Sequence, residues 1–225
     1  MKIGITGANG FIGTYLKKEL VDPVIFNGDL KNIDKVRKFI RKCDRIYHLA
    51  GKNREKLGNI IKNNIVSTSN IVLSMLLENK FPEIVFASSK QVEWNPNSEY
   101  GFTKLIEEEI IKKTQRWCIY RIPNVYGPGC KPFYNSVVAT FCYQISRGES
   151  VRIHDPNAKR EFIYVTDLIK DLLNPEFNRY KYPKGEIMTI GEVYEYLTVK
   201  LGKHEKLKIC LDHYKREVNK YVSSP

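Results

Sequence analysis

Thr6-Gly7-Ala8-Asn9-Gly10-Phe11-Ile12-Gly13 decides how the rest of the chain is read. It follows an apolar run with Ile3 and Ile5, and it opens a segment with Ile12, Tyr15, Leu16 and Leu20 on one helical face. The order is strand, glycine turn, helix. The spacing of the three glycines suits a tight turn at Gly7, backbone approach to a pyrophosphate at Gly10, and close packing of helix on strand at Gly13. The helix N-terminus adds partial positive charge for phosphates. The stretch predicts a dinucleotide-binding turn.

The chain of 225 residues is long enough for a sizeable core in one domain or one and a half. A hydrophobic content of 42% fits a soluble globular protein. No run of eighteen or more apolar residues is read, so no membrane span is expected. Met1-Lys2 leads straight into the first strand, so no signal peptide is expected. The five cysteines, Cys43, Cys118, Cys130, Cys142 and Cys210, show no CxxC spacing, so neither a metal site nor a disulfide framework is indicated. A reduced, cytoplasmic protein is expected. The net charge of +12 suits either a nucleic-acid surface or attraction of polyanionic small molecules. Arginines interleaved with aromatics are missing, so no nucleic-acid partner is expected.

A short strand, Pro23-Val24-Ile25-Phe26, runs into Asn27-Gly28-Asp29-Leu30. Asp29 lies about 20 residues past the glycine turn, where an acidic side chain can hold the adenosine ribose. It could equally be part of a Gly-Asp-Leu that contacts adenine, with one strand–helix unit shortened, or a plain turn residue. Its neighbours Lys31 and Arg37 would suit a 2′-phosphate, which leaves NAD and NADP both open.

Residues 32–42 read as a surface helix, and Arg45–Gly51 as a strand whose small carboxyl-terminal residues let a cofactor lie against backbone. His48 reads as structural. A long helical pattern covers about 57–79, and Ile84–Ala87 is a strand ending in Ser88-Ser89. Tyr100-Gly101-Phe102-Thr103-Lys104 then sets a phenol and an ammonium four residues apart on one helical face. A phenol of pKa about 10 relays protons poorly near neutrality unless a neighbouring cation favours the phenolate. With Ser89 to orient a substrate oxygen, Tyr100 and Lys104 form an acid/base set for carbonyl reduction or alcohol oxidation.

These motifs resemble the extended short-chain dehydrogenase/reductase family, enzymes that remodel nucleotide-linked sugars. The matching segments are Thr6–Gly13, Tyr47–Gly51, Asn64–Thr68, Phe86–Ser89, Tyr100/Lys104, Arg121–Gly129 and Arg160–Leu168, in the family's order, over roughly residues 2–200. Cys130–Tyr143 and the interval of eleven positions from Ser89 to Tyr100 are similar to the capsular-polysaccharide reductases that act on a UDP-linked 4-keto-6-deoxy amino sugar. Their cupin domain has no counterpart in this chain.

The resemblance implies catalysis by Ser89, Tyr100 and Lys104. It implies a cofactor site of Gly7, Asn9, Gly10, Phe11, Ile12, Gly13, Asp29, Leu30, Leu49, Ala50, Gly51, Asn64, Ala87, Ser88, Ile122 and Asn124, besides Tyr100 and Lys104. Substrate contacts would come from Ser89, Lys90, Asn124, Asn135 and Arg160. Asn135 and Ser136 would open a helix facing phosphate, and Arg160 would pair with it; local capping is the lesser alternative for Asn and Ser. Asp155-Pro156-Asn157 reads as a turn, and Asp167 as the cap of a following helix.

The dehydratases of the family carry an Asp-Glu pair where this chain has Lys90-Gln91, and the epimerising GDP-fucose branch has a cysteine at the position of Lys90. Neither activity is expected. Cys130 is expected to be a packing residue.

The reading is therefore a doubly wound α/β domain over 1–150 with a parallel sheet, and a short substrate lobe over 151–225. The expected activity is NAD(P)H-dependent reduction of a 4-keto-6-deoxy nucleotide sugar, with NADP(H) favoured and NAD(H) possible. A 4-epimerase with tightly bound NAD and a non-catalytic dinucleotide-binding protein are the alternatives. No metal is expected, and a homodimer is, through the helices around 57–79 and 100–114.

Overall fold

The structure, a computed structural model, describes residues 1–53 and 57–222. The chain divides into two compact units, Met1–Ile122 with Ile169–Pro183, and Pro123–Leu168 with Lys184–Pro225. The division falls at Ile122, earlier than the expected boundary near 150. The reason is that the chain leaves the first sheet after Ile122 and later returns to it.

The first unit is built on six strands: β1 (Ile3–Thr6), β2 (Val24–Ile25), β3 (Arg45–His48), β4 (Glu83–Ser89), β5 (Trp117–Ile122) and β8 (Arg179–Lys181). They form one sheet of order β2-β1-β3-β4-β5-β8. Every pairing in it is parallel. Ile5, Ile46, Tyr47, Ile84, Val85, Phe86 and Ile119 are buried in it. These near-continuous apolar runs are what strands covered on both faces require.

The helices follow from local signals. α1 (Phe11–Glu19) starts at the glycine turn and buries Gly13 and Leu16. α2 (Ile33–Ile40) is capped by Asn32, which accepts from Lys35 N at 3.1 Å, and turns Val36, Phe39 and Ile40 inward. The 57–79 pattern is helical but not one regular helix. It comprises α3 (Leu57–Ile61), a π-helical turn (Lys62–Val66) and α4 (Ser67–Leu77). The run Gly58–Leu77 reaches the length and apolarity of a membrane span, contrary to the expectation that no such stretch exists. About 41% of it is buried, and Asn64, Ser67, Thr68 and Ser74 are turned into the unit. Buried polar groups of that kind belong to a core helix packed on protein. After α5 (Gln91–Trp94) comes α6 (Glu99–Ile111), capped by Ser98, which accepts from Gly101 N at 3.0 Å.

In the second unit, β6 (Asn124–Tyr126), β7 (Lys159–Tyr164) and β9 (Glu186–Thr189) form a sheet of order β6-β7-β9. α7 (Val137–Ser146), α9 (Ile190–Leu197) and α10 (Glu205–Val222) cover a core that includes Tyr126, Phe141, Phe162, Val193 and Leu207. α8 (Val165–Leu173) carries buried Val165, Leu168, Ile169 and Leu172 at helical spacing. Its last residues belong to the first unit. There Tyr47 Oη donates to Leu172 O at 3.0 Å and Tyr120 Oη to Asp171 O at 2.8 Å.

Candidate active site

β2 and β3 leave β1 on opposite sides, which creates a switch point at the carboxyl end of the sheet, where such folds bind ligands. Gly7 stands there with φ +73°, and Gly10 N donates back to Gly7 O at 2.9 Å. A Cβ on Gly7 would lie 2.7 Å from Ala50 N, and one on Gly13 would lie 2.2 Å from Gly7 O. Only glycine lets β1, β3 and α1 meet this closely.

Above the turn lies a cleft of about 320 Å³. Its walls are the turn from Gly7 to Gly10, residues 26–30 after β2, Ala50, Gly51 and Lys52 after β3, and Asn63 and Ser67 from the π turn and α4. A helix start, whose amides favour anions, and a glycine floor that a Cβ would fill fit the phosphates of a dinucleotide. Gly7, Asn9, Gly10, Asp29, Leu30, Ala50 and Gly51 line one cleft.

Asp29 is in the wall and also shapes its turn, accepting from Lys31 N at 2.9 Å. Lys31 Nζ lies 3.5 Å from the same carboxylate. Arg37 does not join it; its Nε donates to Glu78 at 2.6 Å.

The other expected cofactor residues of this unit lie outside the lining of the cleft. Gly13 underlies the turn, Ile12 is half-buried on α1, and Phe11 packs edge-on to Tyr15. Leu49 N donates to Thr6 O at 3.2 Å and extends the β1–β3 ladder. Asn64 clamps the segment after β3, accepting from Lys52 N at 2.8 Å and donating to Lys52 O at 2.9 Å. Ala87 is half-buried on β4, Ile122 is buried at the end of β5, and Ser88 donates to Glu108.

Ser89 ends β4, pairs in register with Ile122, and accepts from Gln91 N at 3.2 Å. The chain then turns through α5 into α6. Gly101 makes this tight junction possible, because a Cβ there would lie 2.4 Å from Asn95 O. Tyr100 is half-buried. Lys104 is 3% exposed, its Nζ 4.5 Å over the Phe86 ring and 3.1 Å from Glu107 Oε2. Burial alone would pull the Lys104 pKa down; Glu107, Tyr100 and Glu108 outweigh it, and the ammonium is held above its ordinary value. His48 is structural, as expected: fully buried, it bonds Thr6 at 2.7 Å and Thr68 at 2.9 Å. Burial and then the Lys104 charge push its pKa down to about 3.

The expected substrate residues Asn124, Asn135 and Arg160 belong to the second unit. Asn124 donates to Glu161 O at 3.0 Å. Asn135 is exposed just before Ser136, which caps α7 by accepting from Ala139 N at 3.2 Å. Arg160 is exposed and donates to Lys159 O at 2.8 Å. Asp155–Asn157 is a turn, with Asn157 N donating to Asp155 at 3.0 Å. Asp167 is not the cap of α8; it lies inside the first turn, paired with Lys206. Cys130 is half-buried, its carbonyl accepts from Tyr214 Oη, and burial pushes its thiol up.

Sequence reading missed Lys52, Asn63, Ser67 and the buried Glu107. The first three depend on the π turn, which has no simple sequence signature. Glu107 was legible only as a polar residue on the inner face of a helix.

Among the described residues, no group of His, Cys, Asp and Glu is placed to hold a metal ion. A parallel sheet with a glycine-turn cleft at its switch point, and a Tyr-x-x-x-Lys helix beside it, defines a dinucleotide-binding α/β enzyme domain. The chain belongs to the NAD dependent epimerase/dehydratase family, whose model matches residues 3–191. It is 32% identical over 184 residues to a UDP-2-acetamido-2,6-beta-L-arabino-hexul-4-ose reductase of Pseudomonas aeruginosa. That match covers 77% of this chain, which spans about half (49%) of that reductase. The structure is similar to the capsular polysaccharide assembling protein CapF of Staphylococcus aureus, with TM-score 0.77 and 28% identity over 100% of this chain and 68% of that one. A UDP-glucose 4-epimerase of Thermotoga maritima shares the fold at TM-score 0.84 and 17% identity, covering 97% of this chain and 100% of the other.

Proposed function

We propose that the chain reduces a 4-keto-6-deoxy nucleotide sugar, UDP-linked and bearing an amino sugar, with NADPH favoured over NADH. The observation that carries this reading is the buried, charged Lys104 one turn after Tyr100, beside Gly51 of the cleft, in a chain 32% identical to a 4-ketosugar reductase. The nicotinamide, when bound, supplies the hydride. The glycine turn and Ala50–Gly51 would hold the dinucleotide, with Lys31 beside Asp29 to meet a 2′-phosphate. Ser89 would hold the substrate carbonyl, and Tyr100 would give its hydroxyl proton to the oxygen as the alcohol forms. Lys104 favours the resulting phenolate by its charge. Asn124, Asn135 and Arg160 remain the proposed sugar-nucleotide contacts, with Lys90 beside Ser89.

Water elimination is not part of the proposal, because Lys90 and Gln91 supply no acid pair after Ser89. The same Ser–Tyr–Lys set serves 4-epimerisation, and the likeness to a UDP-glucose 4-epimerase keeps that as the second reading. A reducing cytoplasm and a homodimer belong to the same proposal. Exposed Leu73, Leu76 and Leu77 on α4, and Phe102 and Leu105 on α6, support the dimer.

Calorimetry with NADPH, NADH and their oxidised forms, followed by NAD(P)H consumption with a UDP-4-keto-6-deoxy-HexNAc, tests the reading. Binding with consumption supports the reductase. NAD retained through purification, with no net consumption, favours the epimerase, and no binding at all overturns both.

A further inference from the structure

Two adjacent carboxylates, Glu107 and Glu108, are fully buried on α6. Glu108 is taken: Arg121 reaches it through Nη2 at 2.7 Å and Nε at 3.1 Å, and Ser88 donates to it as well. Glu107 belongs to Lys104, whose Nζ lies 3.1 Å from Oε2, an oxygen to which no hydrogen-bond donor is well aimed among the described residues. The other oxygen, Oε1, accepts from Thr68 Oγ1 at 2.6 Å.

That last bond sets the direction of a longer chain. An ionised carboxylate only accepts, so Thr68 gives it its hydrogen and must accept from His48 Nε2 at 2.9 Å. His48 is then neutral with Nδ1 as acceptor, and Thr6 Oγ1 donates to it at 2.7 Å. Thr6 in turn is reached by Ala50 N at 3.4 Å. The carboxylate of Glu107 is thus fixed through three side chains to the strand ends that floor the dinucleotide cleft. Lys104 Nζ lies 3.3 Å from where a Cβ on Gly51 would stand.

The remaining groups facing this pair leave Glu107 as its counter-ion. Around Lys104, Phe86 offers a ring face, Asn64 an amide committed to Lys52, and Tyr100 a phenol. His48 carries no charge and Arg121 is spent on Glu108. Glu108 also favours the Lys104 ammonium but is paired with Arg121, so loss of Glu107 would remove the carboxylate in contact with the buried cation and shift it toward the free amine.

We propose that Glu107 is a positioning residue whose buried carboxylate anchors the Lys104 ammonium at the edge of the cleft, held in its own place by the Thr68–His48–Thr6 chain. Its consequence for turnover rests on the reductase reading; its effect on Lys104 does not. Glu107 therefore governs how far into alkaline pH the site keeps its cation.

The test titrates the Lys104 amine directly, by NMR of the full chain labelled at lysine Cε, with the signal assigned through its loss in K104R. Glu107→Gln should move the Lys104 midpoint down by about one pH unit or more, and Glu107→Asp, which keeps the charge, should restore most of it. Glu107→Met, uncharged and similar in volume, makes the same comparison if the glutamine variant does not fold. An unchanged midpoint in the uncharged variants overturns the proposal. NADPH affinity measured across the same pH range should weaken at lower pH in Glu107→Gln than in the native chain. A native chain that binds NADPH but reduces no keto sugar sinks the reductase reading and leaves this inference standing on the titration.

Discussion

Arg121 and Glu108 form a two-pronged ion pair between β5 and α6, with Nη2 to Oε2 at 2.7 Å and Nε to Oε1 at 3.1 Å. Glu108 is fully buried and Arg121 partly so. The pair fastens the helix that bears Tyr100 and Lys104 to the sheet.

Breaking that pair leaves the guanidinium with Glu93, 2.8 Å away at a more exposed position, and the face of the Tyr180 ring. Glu108→Ala is expected to destabilise the fold by about 3 kcal/mol, as removal of one partner of a buried pair does. Urea unfolding of the variant and the native chain measures it, and a loss below about 1 kcal/mol would show that the pair is solvated.

Gly13→Ala sets a methyl group 2.2 Å from Gly7 O, against backbone that cannot yield without reshaping the turn. Dinucleotide affinity is expected to fall at least about tenfold, which corresponds to about 1.4 kcal/mol. Calorimetry with NADPH reads this, and affinity equal to the native chain's would show that the turn does not hold the dinucleotide.

Tyr100→Phe removes only the hydroxyl from a half-buried side chain. Turnover with the keto sugar should vanish while NADPH affinity stays within about threefold, because the acid is lost and the cleft is untouched. Equal loss of both would mark Tyr100 as structural.

His48 supplies a pH-dependent contribution of known sign. Its folded pKa is depressed to about 3 from 6.5, so between those values the unfolded chain binds a proton that the folded chain refuses. Stability from this group is complete above about pH 6.5 and declines as pH falls, by up to about 1.4 kcal/mol per pH unit. Denaturant midpoints at pH 7 and pH 5 should differ less in His48→Gln than in the native chain. An equal difference would assign the acid sensitivity to other groups.

Much of this was legible in the order of residues. Thr6–Gly13 announced β1, its turn and α1, because only glycine fits where Gly7 and Gly13 touch backbone. The alternation of apolar strands with helical patterns announced a parallel sheet covered by helices, and Val36, Phe39, Ile40, Ile71 and Met75 are the stripes those helices bury. The caps at Asn32 and Ser98 are local events that the sequence reading passed over. Asp167 was misread as a cap because an acidic residue near a helix start also suits the first turn, and its partner Lys206 is distant in sequence.

What the sequence determined by itself was the set of chemical groups and their local geometry: a glycine turn, a Tyr-x-x-x-Lys helix and a serine at a strand end. Tertiary structure alone decided which groups share a cleft and which lie buried behind it. Asn63 and Ser67 reach the cleft through a π turn, Arg37 is drawn to Glu78, and the chain returns at Ile169–Pro183 to complete the first sheet. It also decided that Glu107, an ordinary helix residue by its position, is sealed from water against Lys104. The physical reason is that burial and long-range pairing belong to the packed chain, because a residue's solvent and its charge partners come from segments remote in sequence.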